Sequence, residues 1–166
     1  MGSKKIAFVI APEGFNDDEL LKPKAILEDN DVEVVIVSTE VQECRGMRGT
    51  RIRSSVAIRE VSPKDYDGIV VVGGAGALRY LSENEDLINL LRAFNNEGKL
   101  VSAIGRGRHA LHNAGLFGTN FAWGPKVEIN DNVIAARPPS TTSGWTSEEY
   151  GYLLVEHLCR RRKTSI

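Results

Sequence analysis

The stretch from Val101 to Leu111, VSAIGRGRHAL, places a glycine, two arginines and a histidine directly after an apolar run. A buried strand that turns sharply into a helix usually displays a reactive side chain at the turn. Here the residue at the turn is Gly105, which has no side chain. Glycine adopts a strained or left-handed backbone without the cost of about 1–3 kcal/mol that other residues incur. The sequence therefore predicts a sharp turn at Gly105 that displays no side chain at its apex.

Two arginines, Arg106 and Arg108, flank Gly107 at the predicted start of the helix that follows. The helix dipole at this end favours an anion, so a negative group is expected close by. Two candidates stay open. One is Glu19, as the charge-assisted hydrogen-bonding partner of Arg106. The other is a bound carboxylate or phosphate, held by Arg106, Arg108 and the free N–H groups of the turn.

The histidines and cysteines do not form a metal or disulfide pattern. His109 and His112 are three residues apart, whereas a metal pair favours four-residue spacing or a third ligand. Packing or solvation is the expectation for both, and for His157. Cys44 and Cys159 are far apart and outside any CxxC motif. We therefore predict no metal, no cofactor and a reducing, cytoplasmic setting.

The composition is that of an ordinary water-soluble protein. The 166 residues are 42% hydrophobic and 26% charged, with a formal net charge of −1. This balance creates no global field that would attract nucleic acid or a membrane. A basic run at residues 160–163 complements the dipole at the end of the last predicted helix. We expect a single domain over residues 1–166.

Apolar, β-branched runs alternate with helical patterns along the chain. Continuous apolar character is typical of strands that are buried on both faces of a parallel sheet. The predicted strands are residues 6–11, 32–37, 69–72 and 100–104. One predicted helix begins after Asn16. Three more cover residues 83–96, 107–115 and 147–161. This alternation predicts an open, doubly wound α/β sheet with helices on both faces.

Two segments depart from this alternation. Residues 44–61 contain glycines and a run of mixed polarity, which predicts a hairpin or short antiparallel excursion. Residues 127–129 and 133–136 are two short strand-like pieces around a turn of Asn and Asp, which tolerate left-handed backbone.

In open α/β sheets the ligand site lies beyond the carboxyl ends of the strands. Three segments reach that edge here: residues 11–19, 73–77 and 105–109. The candidate site therefore combines Glu19, Gly74 with Ala75, and the turn at Gly105.

The order of these motifs resembles the DJ-1/PfpI family, which is related to class I glutamine amidotransferases. The resemblance runs from about Lys5 to Leu158 and is carried by IAFVIA, DDELLKP, VVVGGAGALRYLSENEDL, NNEGKLVSAIGRG, LHNAGLFG and VEINDNVIAARPP. It implies a flavodoxin-like three-layer sandwich, commonly assembled as a homodimer.

In that family the strand-to-helix turn usually reads A-I-C-H-G-P, with the cysteine as nucleophile and the histidine assisting it. This chain has Gly105 and Arg106 at those two positions. The resemblance aligns Glu19 with the acid that poises the cysteine, and Gly74 and Ala75 with the backbone N–H donors. Cysteine chemistry of the family type is therefore not expected.

The segment between residues 118 and 127 is shorter than in relatives, which usually carry another strand and part of the pocket wall there. We expect a remodelled or more open pocket. Phe121 and Trp123 could line it, but packing at a dimer contact is favoured.

Three functions follow from these residues. The first is a non-catalytic or altered family member that binds a small anionic metabolite at the turn through Arg106. The second is a hydrolase of peptidase, glyoxalase or amidase type, in which Glu19 activates water beside the Gly74 and Ala75 donors. The third is a dimeric structural or interaction protein whose pocket is filled by Arg106.

Overall fold

The computed structural model describes residues 4–118, 126–140 and 144–164, with side chains up to residue 159. The strands are β1 (Lys4–Val9), β2 (Glu13–Phe15), β3 (Val32–Ser38), β4 (Glu43–Gly46), β5 (Arg51–Arg53), β6 (Val56–Ala57), β7 (Gly68–Val71), β8 (Leu100–Ile104), β9 (Val127–Asn130) and β10 (Val133–Ala136). The α-helices are α1 (Asp17–Asp29), α2 (Ala75–Tyr80), α3 (Glu85–Asn96), α4 (Arg108–Asn113) and α5 (Ser147–Thr164).

The central sheet has the strand order β6-β3-β1-β7-β8-β10-β9, and a small second sheet has the order β2-β4-β5. In the central sheet all pairings within the described residues are parallel except β10 with β9. From β1 the chain builds outward first through β3 and then, on the other side, through β7. The switch point therefore lies between β1 and β7, where the loops that follow these strands meet.

Alternate residues of each strand pack on opposite faces of the central sheet. Ile6 and Phe8 belong to the core that includes Leu20 of α1 and Tyr150 of α5. Ala7 belongs to the other core, with residues of α2, α3 and α4. The predicted three-layer α/β sandwich is confirmed, and the continuous apolar character of β1 reflects burial on both faces.

Several predicted elements are confirmed with shifted ends. The strand predicted at residues 6–11 is Lys4–Val9, and the helix predicted at residues 107–115 is only Arg108–Asn113. The predicted hairpin consists of β4 and β5, which pair antiparallel. The turn between β9 and β10 contains Asp131 at φ 57°, the left-handed backbone expected of that Asn/Asp segment.

Three elements were not predicted, because each is too short for a periodic pattern. They are β2, the two-residue β6 and the six-residue α2. β6 pairs parallel with β3 and so belongs to the central sheet, although the sequence placed it in the hairpin excursion. No helix within the described ranges has the length and apolar character needed to cross a membrane.

Candidate functional site

The turn after β8 has the geometry that its glycine predicts. Gly105 has φ +59° and begins a short 3₁₀ turn, Gly105–Gly107, that leads into α4. An L-residue with a side chain adopts this backbone only with strain. Gly107 allows a second close approach, because a Cβ there would overlap the carbonyl oxygen of Val71 in the neighbouring strand. The turn is therefore built for backbone shape and displays no side chain at its apex.

The carboxyl group of Glu19 fills the space above Gly105. A Cβ added to Gly105 would lie 2.8 Å from Oε2 and 2.9 Å from Oε1 of Glu19. Both distances are well inside van der Waals contact, and Glu19 is only 3% exposed. The position that a nucleophilic side chain would need is thus occupied by a carboxyl group from α1.

The first turn of α1 holds this carboxyl in place through Gly73, in the loop after β7. The N–H of Gly73 donates to Glu19 Oε1 at 3.0 Å, and its carbonyl accepts from the Asn16 N–H at 2.9 Å. Asn16 is also the N-cap of α1, since its Oδ1 accepts from the Glu19 N–H at 3.1 Å. The Gly73 peptide therefore anchors both the start of the helix and the acid.

Burial raises the pKa of Glu19 to about 7, although the Gly73 N–H and the charges of Arg108 and Arg106 act in the opposite direction. Near neutral pH both protonation states are therefore populated. Within the described part of the chain no group donates a hydrogen bond to Oε2. One carboxyl oxygen is anchored to the backbone and the other accepts no hydrogen bond from the described residues, which is the arrangement of a group that can still bind or exchange a proton.

The two arginines of the turn have different roles from those predicted. Arg106 is exposed, and the ion pairs among the described residues include none between it and Glu19. The expected Arg106–Glu19 pair is therefore wrong, because the 3₁₀ turn directs Arg106 outward while the Gly73 N–H binds the carboxyl.

Arg108 is buried: its Nε donates to the Gly105 carbonyl at 2.8 Å, and its guanidinium lies 5.7 Å from the ring centre of Phe117. Arg108 thus stabilises the turn from its buried side.

The predicted backbone donors, Gly74 and Ala75, differ in exposure. Gly74 is buried, and a Cβ on it would lie 2.5 Å from the Asn16 nitrogen, so the chain before α1 covers it. Ala75 is exposed at the start of α2. The N–H that donates to Glu19 belongs to Gly73, the residue before them.

A cavity of about 300 Å³ adjoins the buried acid. It lies between the N-terminal ends of α1 and α5 and the loop that connects β4 to β5. Its lining residues are Asn16, Asp17, Asp18, Glu19, Met47, Arg48, Pro139 and Ser147. Neither arginine of the turn contributes to it, and the cationic side chain among its described lining residues is Arg48.

The remaining candidates form no second chemical centre with these residues. His109 is partly buried, and burial together with the Arg108 charge holds its pKa below the usual value. His112 contacts the Phe117 carbonyl through Nδ1 at 3.0 Å. Cys44 is buried and Cys159 is exposed, both as free thiols. The described ranges contain no set of three or more His, Cys, Asp or Glu side chains arranged to hold a metal ion.

Comparison with known proteins decides the family. The profile of the DJ-1/PfpI family matches residues 4–137. The chain belongs to the DJ-1/PfpI family. The turn at Gly105 lies within the matched residues, and Phe121 and Trp123 lie outside the residues that the structure describes.

Curated relatives within this family include proteins with and without a named activity. An uncharacterized protein of Methanocaldococcus jannaschii is 44% identical over 116 residues, 70% of this chain and 57% of that protein. This chain thus matches little more than half of that relative's length. Deglycase PfpI of Pyrococcus furiosus is 29% identical over 161 residues, 87% of this chain and 96% of that protein.

Solved structures of the family show the same fold. A ThiJ/PfpI domain protein from Brachyspira murdochii superimposes with a TM-score of 0.85 at 22% identity, over 96% of this chain and 99% of that chain. DJ-1beta of Drosophila melanogaster gives a TM-score of 0.78 at 20% identity, over 93% and 90%. The flavodoxin-like sandwich that the resemblance implied is confirmed.

Proposed function

We propose that this DJ-1/PfpI protein carries out no thiol-dependent chemistry and binds a small anionic molecule in the cavity beside Glu19. The observation that carries the proposal is the position of the Glu19 carboxyl, 2.8 Å from the place of a Cβ on Gly105. The turn holds an internal acid where a nucleophile would stand. A ligand then binds in front of the carboxyl, in the adjoining space of about 300 Å³.

The charges around the cavity support an anionic ligand. Asp17 accepts hydrogen bonds from backbone N–H groups, and Asp18 lies 3.9 Å from the Lys22 ammonium, so both acids have partners. Arg48 is exposed and forms no ion pair within 4.0 Å among the described residues. Glu19 is partly neutral near pH 7 and in that form can donate a hydrogen bond to a carboxylate or phosphate.

Titration with acetate, pyruvate and inorganic phosphate, followed by calorimetry and NMR, tests this proposal. We expect binding in the millimolar range or tighter, weakened about tenfold by Arg48→Ala, the effect of losing one charge-assisted hydrogen bond. Arg106→Ala is the matched control, since Arg106 is exposed and does not line the cavity. Absence of binding to the wild type, or equal effects of the two variants, contradicts the proposal.

The pH dependence of the affinity reports the charge of the ligand. An anion next to Glu19 favours the protonated carboxyl, so its affinity should rise as the pH falls through about 7. A cationic ligand would show the opposite slope. Glu19→Gln removes the titrating group and should flatten the dependence for either ligand.

A second candidate is an enzyme that uses Glu19 as acid or base without cysteine. The pKa of about 7 supports it, since a proton-transfer group works best when its pKa is near the working pH. Some relatives are named deglycases, which makes glycated amines, aldehydes, esters and amides the substrates to assay. Turnover that Glu19→Gln abolishes, and that the exposed control Glu28→Gln retains, would establish this candidate.

We also propose that the protein is a homodimer, as is common in the family, and that it acts in the cytoplasm. Large apolar side chains are exposed on elements beside the cavity: Leu21 at 40%, Met47 at 56% and Tyr152 at 61%. Light scattering after size exclusion gives the mass directly. A monomer at micromolar concentration contradicts the dimer and leaves the cavity proposal intact.

A further inference from the structure

Asp17 is a buried acid at the start of α1 that the proposed site does not yet use. It is only 5% exposed, and its carboxylate is bound by the loop between β4 and β5. The N–H of Arg48 donates to Oδ1 at 2.8 Å, and the N–H of Thr50 donates to Oδ2 at 3.0 Å. Each carboxylate oxygen thus binds one backbone amide of the same loop.

The packing around this carboxylate is tight on the loop side. A Cβ added to Gly46 would lie only 2.5 Å from Oδ2 of Asp17. Burial acts to raise the pKa of Asp17, but hydrogen bonds from Thr50 and Arg48 outweigh it and hold the pKa below its usual value. The carboxylate is therefore ionised at neutral pH and bound by donors that strengthen with its charge.

This contact connects the two walls of the cavity. Asp17 lies two residues before Glu19 on the first turn of α1, and Asn16 and Glu19 anchor that turn to Gly73. On the other wall, Arg48 lines the cavity from the loop whose backbone Asp17 binds. A fixed helix turn thus sets the position of the loop residue that carries the cation.

We propose that Asp17 is a positioning residue: it holds Arg48 at the cavity lined by Glu19 and thereby sets the affinity of this site for small anions. This inference rests on the function proposed above. The expected direction of the change in affinity is unusual, because removing a negative charge beside an anion site normally strengthens anion binding. Here the loss of Asp17's charge weakens binding, since the loop that presents Arg48 is released.

The pair Asp17→Asn and Asp18→Asn tests the proposal, because both changes remove one charge from adjacent residues of the same cavity. The probe is inorganic phosphate, and NMR hydrogen exchange of the Arg48 and Thr50 amides reports the loop. We expect Asp18→Asn to bind phosphate as tightly as the wild type or more tightly. We expect Asp17→Asn to bind it about tenfold more weakly and to exchange both amides about tenfold faster.

A double-mutant cycle separates positioning from general destabilisation. If Asp17 acts through Arg48, then Asp17→Asn combined with Arg48→Ala binds phosphate no more weakly than Arg48→Ala alone. Should Asp17→Asn fail to fold, Thr50→Val takes its place; it removes the hydroxyl that also donates to Asp17 and should give a smaller change of the same sign.

Two results overturn the inference. One is tighter phosphate binding by Asp17→Asn, as electrostatics alone predicts; the other is unchanged protection of the two amides. A wild type that binds no phosphate overturns the proposed function and the affinity effect together, whereas the amide exchange still decides whether Asp17 holds the loop.

Discussion

The Glu19 carboxyl lies directly over Gly105, with Oε2 only 2.8 Å from the place of a Cβ on that glycine. The two residues are far apart in the chain: Glu19 lies at the start of α1, and Gly105 lies in the turn after β8. Their contact leaves no space for a side chain at position 105. The contact also places a titratable acid beside a cavity, at the edge of the sheet where the turn lies.

A side chain at position 105 should destabilise the fold. Gly105→Cys combines a left-handed backbone with overlap against a buried carboxyl, so we expect the free energy of unfolding to fall by about 2–4 kcal/mol. Glu19→Asp withdraws the carboxyl by one methylene and should recover part of this loss in the double variant. Urea denaturation of the two single variants and the double variant gives the coupling. Additive free energies would mean that the two residues are not in contact.

Stability should fall as the pH rises from acid to neutral through the titration of Glu19. Its pKa in the folded state, about 7, is above the ordinary value of 4.5, so the folded state binds the proton more tightly than the unfolded state. The difference corresponds to about 3 kcal/mol, fully present below pH 4.5 and lost by the time the pH exceeds 7.

Glu19→Gln isolates this effect. The lowered pKa of His109 acts in the opposite sense below its ordinary value of 6.5, so the informative quantity is the difference between the variant and the wild type. We expect the variant to gain stability relative to the wild type between pH 5 and pH 8. Glu28→Gln, an exposed acid near Lys24 on the same helix, should leave the slope unchanged. Parallel profiles for the wild type and Glu19→Gln would contradict the prediction.

The two arginines of the turn should differ sharply in their effect on stability. Arg108→Ala removes a buried hydrogen bond to the Gly105 carbonyl and the contact with Phe117, which should cost about 2–3 kcal/mol. Arg106→Ala removes an exposed side chain and should change the free energy of unfolding by less than about 0.5 kcal/mol. Thermal or chemical denaturation of the two variants measures this. Similar losses of stability in the two variants would show that Arg106 has the interior role that the sequence indicated.

A buried hydroxyl pair in the core predicts an asymmetric response to mutation. The single proton of the Ser102 hydroxyl is donated to the Ile134 carbonyl at 2.7 Å, so the Tyr150 hydroxyl donates to Ser102 at 2.5 Å. Ser102→Ala leaves a buried phenol without its acceptor and should cost about 1–3 kcal/mol. Tyr150→Phe leaves Ser102 bonded to Ile134 and should cost less, about 1 kcal/mol. Denaturation at pH 7 compares them, and the reverse order would show that the donors are assigned wrongly.

The sequence predicted the layers of the fold and the backbone of the turn, because both follow from local residue types. Runs of β-branched residues predicted the buried strands, and Gly105 predicted the left-handed backbone that the structure has. Short elements such as β6, with two residues, leave no periodic signal. They form because a neighbouring strand offers hydrogen bonds, which is information from tertiary structure.

The candidate site was predicted less completely. Arg106 and Arg108 are two residues apart, so they face different sides of the turn, and their types alone cannot show which is buried. Arg48 lines the cavity from a loop whose backbone binds Asp17, 31 positions earlier in the chain. An acid in the first turn of a helix is also expected simply because it complements the dipole, and nothing in the sequence distinguishes the two roles.

The titration of the Glu19 carboxyl carbon, observed by NMR in protein labelled with ¹³C-glutamate and assigned by Glu19→Gln, tests the central claim most directly. We predict a midpoint near pH 7 that moves upward when inorganic phosphate is added, because a bound anion favours the neutral acid. A midpoint near 4.5 that phosphate does not move would contradict the account. It would place the carboxyl in solvent, away from Gly105 and from any ligand.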